Sequence, residues 1–300
     1  MGNGRWTEAT YRGYAADTGY RTKTVHEVFA NYSMPDGLNP ARIVVRESCD
    51  SVANPASTPV ILGLDVTGSM GKYAREIAVN HLPKLMNGIL EERPVTDPHL
   101  MFMGIDDVHA QSRAPLQMSQ FEADIKILEQ LREICMVGGG GGNRSESYDA
   151  VWYGAAHKTK IDSYDRRQMP GFIFTFGDEE APYQSMSSSQ LKSIFGEGEY
   201  PATITPVESL SAAQEKYQVF HVVIEQGSYC YSRLKEVRSS CTELLGNNVI
   251  FLRDTEYLSE VVLATLHIAN GKDMESVIAA SSNADELRYA FANSLPNEGG

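Results

Sequence analysis

Five short apolar runs, set between helix-like stretches, constrain this chain more than any other feature. They are PVILGLD (59–65), HLMFMGID (99–106), PGFIFTFGD (170–178), VFHVVIE (219–225) and NVIFLRD (248–254). Runs of this length without polar alternation suit strands buried on both faces of a parallel sheet. Between them lie amphipathic segments: GKYAREIAVNHLPKLMNGILEE with a kink expected at Pro83, FEADIKILEQLREICM (121–136), SESYDAVWYGAAHKT (145–159), SLSAAQEKY, SRLKEVRSSCTELLG and TEYLSEVVLATLHIAN. Strand and helix in alternation predict an α/β fold with a doubly wound, mostly parallel sheet flanked by helices.

The ends of the chain break this rhythm. Residues 1–24 hold Trp6, Tyr11, Tyr14 and Tyr20 among glycines, with four basic and two acidic side chains and no helical or two-residue period. They read as an extended arm outside the core. Such an arm cannot bury its aromatics against itself, so it is expected to dock on another subunit, on a partner or across its own domain. VHEVFANYSM and ARIVVRE look strand-like, and SVANPASTP is loop chemistry. The expected organisation is an N-terminal arm and extension over 1–55, an α/β domain over 56–270 and a tail over 271–300 with one weak helix, ADELRYAFANSL.

In a doubly wound sheet, ligands collect at the carboxyl ends of strands, beside helix N-termini. Three polar clusters fall there: Asp65-Val66-Thr67-Gly68-Ser69-Met70, the stretch GGGGGNRSES from Gly138 to Ser147, and Gly177-Asp178-Glu179-Glu180. A strand-to-helix turn can aim residues i, i+2 and i+4 at one point. Here these are a carboxylate and two hydroxyls, an oxygen set for a hard divalent cation, Mg²⁺ before Mn²⁺ or Ca²⁺. Asp178 would add a carboxylate from a neighbouring strand end, and the glycine run would let another oxygen approach. Asp106-Asp107, Glu179 and Glu180 read as solvated residues at strand ends. The histidines, His109 and His157 among them, show no metal-ligand spacing.

The block DVTGSM after an apolar strand resembles the DxSxS or DxTGSM signature of the von Willebrand factor A (vWA) fold, whose metal-ion-dependent adhesion site is called MIDAS. The likeness spans about residues 57–270. It implies that Asp65, Thr67 and Ser69 form the first metal loop and that Asp178 is the later metal-associated Asp, with FGDEE in place of the usual TDG. The third-loop Thr of the family has no clear counterpart: Ser145 fits best by distance to the following helix, with Asn143 and Glu146 as competitors. The resemblance further implies a binding module without catalysis, in which a protein partner's Asp or Glu completes the shell of the ion. A role in building a larger assembly, such as a phage virion or an ATPase-linked machine, follows as the expectation.

One enzymatic alternative shares the α/β sheet and Mg²⁺, the haloacid-dehalogenase-like phosphatases. There Asp65 would be the nucleophile, but the general acid normally two residues later is replaced by Thr67. Composition narrows the rest. With 26 Lys+Arg against 39 Asp+Glu, the net charge is −13. That balance disfavours nucleic acid, which needs dense positive charge. No apolar run reaches the length of a membrane span, and the first residues show no apolar signal core. Cys49, Cys135, Cys230 and Cys241 are too scattered for a zinc site and read as reduced thiols. A cytoplasmic or virion location is the expectation.

Overall fold

A computed structural model describes residues 4–68, 70–110, 112–137 and 144–293. Its main sheet has six strands: β1 (Thr58–Asp65), β2 (Pro98–Ile105), β3 (Leu116–Met118), β4 (Gly171–Gly177), β5 (Tyr217–Ile224) and β6 (Val249–Leu252). They lie in the order β3-β2-β1-β4-β5-β6. All neighbours are parallel except the β2–β3 edge pair. The expected α/β class and mostly parallel sheet are therefore present. Each of the five apolar runs became a strand, whereas the three-residue β3 was not anticipated. Two small sheets accompany it, Arg46–Ser48 with Thr159–Ile161 and Met186–Ser187 with Thr203–Ile204.

Alternate side chains of the long strands feed two cores. Val60, Leu62 and Leu64 of β1 join Phe172, Phe174 and Phe176 of β4 on one face, under helices Leu82–Glu92 and Leu258–Ala269. Ile61, Met101, Met103 and Ile173 face the other side, under helices Tyr148–Lys158 and Leu234–Leu245. Burial on both faces explains why the strands are continuously apolar in sequence.

Residues 4–24 do not form an extended arm. Helix Glu8–Thr18 starts at Thr7, whose side chain forms a capping box with Thr10, and stops at Gly19 with φ 62°. Trp6 and Tyr20, 2% and 0% exposed, belong to the first core together with Tyr11. The Trp6 amide donates to Ala123 O at 2.7 Å, and its indole N–H donates to Asn87 Oδ1 at 2.9 Å. Tyr11 stacks on Trp6 at 5.5 Å between ring centroids. Of the destinations left open by sequence, the aromatics use their own chain.

Several local expectations are corrected as well. VHEVFANYSM holds a helical turn, Val25–Val28, started by a Thr24–Glu27 capping box. The helix expected over 121–136 is confined to Lys126–Arg132. The tail carries two short helices, Met274–Ala280 and Ala284–Ala290, which bury Ile278 and Leu287. The irregularity assigned to Pro83 lies one turn earlier. Helix Gly71–Glu76 passes through a widened turn, Ile77–His81, into helix Leu82–Glu92. Pro83 sits in the first turn of that last segment, where a missing N–H is tolerated. The Tyr20 hydroxyl donates to Ala78 O within the widened turn, at 3.3 Å.

Candidate metal centre

The strand order reverses between β1 and β4, and crevices for ligands open at the carboxyl ends of strands beside such a switch. Leu64 of β1 pairs with Phe176 of β4, so Asp65 and Asp178 emerge side by side just past the paired segment. Asp65 also pairs with Ile105 of β2, which sets Asp106 and Asp107 at the same rim. Helix Tyr148–Lys158 brings Glu146 there: it crosses β1, where Val151 lies 3.2 Å from the position a Cβ on Gly63 would take.

Asp65 is fully buried, and only one of its oxygens is used. Oδ1 accepts from the Thr67 amide at 2.8 Å and from the Thr67 hydroxyl at 2.6 Å. Oδ2 is buried with no hydrogen-bond partner among the described residues. An orphaned carboxylate oxygen in a dry setting is costly unless a cation or a proton meets it. Burial, and then the charges of Asp178 and Asp106, push the Asp65 carboxyl well above its ordinary range.

Asp178 is held from the other side, where its Oδ2 accepts from the Tyr229 amide at 3.0 Å. A Cβ on Gly227 would lie 2.1 Å from Asp178 Cβ, so glycine is needed for this turn to pass so close. Gly177 serves the same purpose for Tyr148, whose hydroxyl would be 1.9 Å from an added Cβ.

The rim is more acidic and more buried than the sequence suggested. Asp106 and Asp107 are not solvated strand ends: they are 4% and 0% exposed. Asp107 Oδ1 accepts from the His109 amide at 2.8 Å and from the Ser147 hydroxyl at 3.4 Å, and Asp106 Oδ2 accepts from the Ser112 hydroxyl. Glu179 is buried too, with Oε2 lacking a partner, while Glu180 is partly exposed and accepts from the Tyr229 hydroxyl at 3.1 Å. Burial first, then neighbouring negative charge, pushes the Glu179 carboxyl up to about 8. Burial drives Asp149, in the first turn of helix Tyr148–Lys158, up to about 7.

Of the site residues named from sequence, Asp65, Thr67 and Asp178 come together. Ser69 and Asn143 lie outside the described residues. Ser145 is buried and makes a parallel bridge with Glu180. Glu146 lies deeper, 1% exposed, and neither of its oxygens has a hydrogen-bond partner among the described residues. Sequence reasoning underrated Asp106, Asp107, Glu179 and Glu146. Their common signal is a position one to three residues beyond a strand end or before a helix, where a carboxylate can turn inward. No three His, Cys, Asp or Glu side chains among the described residues gather tightly enough to hold an ion by themselves. A set of one or two carboxylates completed by hydroxyls is a different donor arrangement, and the orphaned Asp65 oxygen fits it.

No family profile matches the sequence, and no curated protein matches it. Among solved structures, the fold resembles the pilus adhesin SpaC from Lactobacillus rhamnosus GG in its open conformation, with a TM-score of 0.48 and 8% identity over 74% of this chain. It also resembles proximal thread matrix protein 1 from the mussel byssus, with a TM-score of 0.41 and 12% identity over 73% of this chain. The likeness spans 30% of the adhesin and 48% of the matrix protein, so this chain matches less than half of either.

Proposed function

We propose that this chain is a metal-dependent protein-binding module of the vWA type, with a MIDAS-like site at the switch point of its sheet. The observation that carries the reading is Asp65 Oδ2, buried and unpartnered beside a carboxylate from the next strand. Asp65, Thr67 and Asp178 would hold a divalent cation, Mg²⁺ or another of its kind, with Ser69 as a further ligand by its place in the motif. The bound cation would offer an open position to an acidic side chain of a partner protein.

The residues around it do the positioning. Thr67 ties down Oδ1 through two hydrogen bonds, which leaves Oδ2 fixed in direction. The Tyr229 amide anchors Asp178 at a glycine turn. Their preorganisation removes part of the ordering cost of binding. No bond is broken in this reading, and the chain serves assembly of a larger complex. The phosphatase alternative needs a free acid two residues after Asp65, and Thr67 instead spends its hydroxyl proton on Asp65.

Calorimetric titration with Mg²⁺ and Mn²⁺ tests the site. One ion should bind to the wild type and none to Asp65→Asn. Native partners should co-purify with Mg²⁺ present and be lost with chelator. Absence of ion binding at millimolar Mg²⁺ and Mn²⁺ would overturn the reading. Mg²⁺-dependent hydrolysis of a phosphomonoester, abolished in Asp65→Asn, would replace it with the phosphatase.

A further inference from the structure

Glu146 presents a problem in charge that neither protonation state solves. Its side chain is 1% exposed, and neither carboxyl oxygen meets a donor or an acceptor among the described residues. An ionised carboxylate there lacks every hydrogen bond it needs. A neutral one buries an O–H with nothing to receive it. Its chain neighbours tie it to the acidic rim: Ser145 bridges to Glu180, and the Ser147 hydroxyl donates to Asp107 Oδ1 at 3.4 Å. Of the negative charges acting on it, that of Asp65 is the strongest. The nearest backbone feature is equally unhelpful, since the Glu146 carbonyl is engaged by the Tyr148 amide at 2.9 Å and fixes the loop as it enters the helix.

Asp65 has the same deficit at Oδ2. Two orphaned, buried carboxylates brought to one rim by two loops can be satisfied together by one divalent cation. We infer that Glu146, rather than Ser145 or Asn143, is the ligand that the segment before helix Tyr148–Lys158 contributes to the cation held by Asp65.

This inference rests on the metal-site reading above and changes its character. Asp65 and Glu146 would bind the ion directly, with Asp178 reached through water, so the chain retains the ion without a partner. A site built from Asp65 and hydroxyls alone would hold its ion more weakly and depend more on that partner.

The test is Mn²⁺ binding to the full chain, followed by calorimetry and by the electron paramagnetic resonance of free Mn²⁺, in the wild type and in Asp65→Asn, Glu146→Gln and Ser145→Ala. The expected result is one ion per wild-type chain, none in Asp65→Asn, affinity reduced at least about tenfold in Glu146→Gln, and a change of less than about twofold in Ser145→Ala. Circular dichroism in chelator confirms that each variant is folded. Should Glu146→Gln not fold, Glu146→Asp keeps the charge on a shorter stem and should itself lose affinity; wild-type affinity in it would overturn the inference. Wild-type affinity in Glu146→Gln with loss in Asp65→Asn overturns the role of Glu146 and leaves the metal site standing. Two ions per chain, of which Glu146→Gln loses one, place Glu146 on a separate ion and overturn the shared site. A wild type that binds no Mn²⁺ removes both.

Discussion

The N-terminal clasp, residues 4–24 against the helical stretch from Gly71 to Glu92, and the acidic rim treat their polar groups differently. In the clasp, the Trp6 indole reaches Asn87, the Tyr20 hydroxyl reaches Ala78, and the Arg75 guanidinium donates to Lys23 O at 2.6 Å. At the rim, oxygens of Asp65, Glu146 and Glu179 are buried without such partners. A folded chain normally completes its buried hydrogen bonds, because each unmet group is costly. The contrast separates a region whose polar groups are paired within the chain from one that leaves carboxylate oxygens unpaired, as the proposed cation site requires. The clasp runs along the helical stretch that leaves the Asp65 loop, from Arg75 in helix Gly71–Glu76 to Asn87 in helix Leu82–Glu92.

The largest effect should come from the clasp. Trp6→Ala removes a 2% exposed indole together with its stacking on Tyr11, and should destabilise the protein by about 3–5 kcal/mol in urea unfolding. A loss below about 1 kcal/mol would show that the aromatics lie on the fold without supporting it.

The rim should announce itself through pH. Asp149 is raised from 3.8 to about 7 and Glu179 from 4.5 to about 8. The unfolded chain releases these protons near its ordinary carboxyl values, whereas the folded chain keeps them longer. The stabilisation from retained protons is complete below the unfolded values and is lost as pH rises through about 7 to 8. In chelator, the thermal midpoint should therefore fall between about pH 5 and about pH 8, and saturating Mg²⁺ should flatten the decline. A midpoint that climbs steadily over this range in chelator would contradict the picture of buried carboxylates that keep their protons.

The smallest effect sharpens the clasp from outside. Arg12 and Glu8 form an exposed i,i+4 pair on the same helix that buries Tyr11. Arg12→Ala should cost less than about 0.5 kcal/mol by the same urea measurement. Parity with Trp6→Ala would mean that the helix is held by its charges instead of its buried face.

What the sequence made legible follows from how locally each feature is determined. The long strands announce themselves because burial on both faces forces unbroken apolar runs. Strand β3 does not, since Leu116–Met118 is three residues long and gains its place by pairing with Met103–Ile105. The N-terminal helix hides because Tyr11 and Ala15 are its buried positions, while Gly13 weakens the pattern; the Thr7–Thr10 cap and Gly19 were the available signals. At the rim, the DVTGSM spacing exposes Asp65 and Thr67. The inward turn of Asp106, Asp107 and Glu179 depends on which helices cover the strand ends, and that is a property of the assembled sheet.

Completing the clasp also sets a schedule. Trp6 waits for Asn87, 81 residues further along, and the Tyr14 hydroxyl waits for Arg132, 118 residues further. At a synthesis rate of about 5–20 residues per second, the second interval alone lasts on the order of ten seconds. Until Asn87 and then Arg132 emerge, Trp6, Tyr11, Tyr14 and Tyr20 have left the ribosome without these partners. The same contacts that close the fold make its earliest residues the ones most in need of a chaperone during translation.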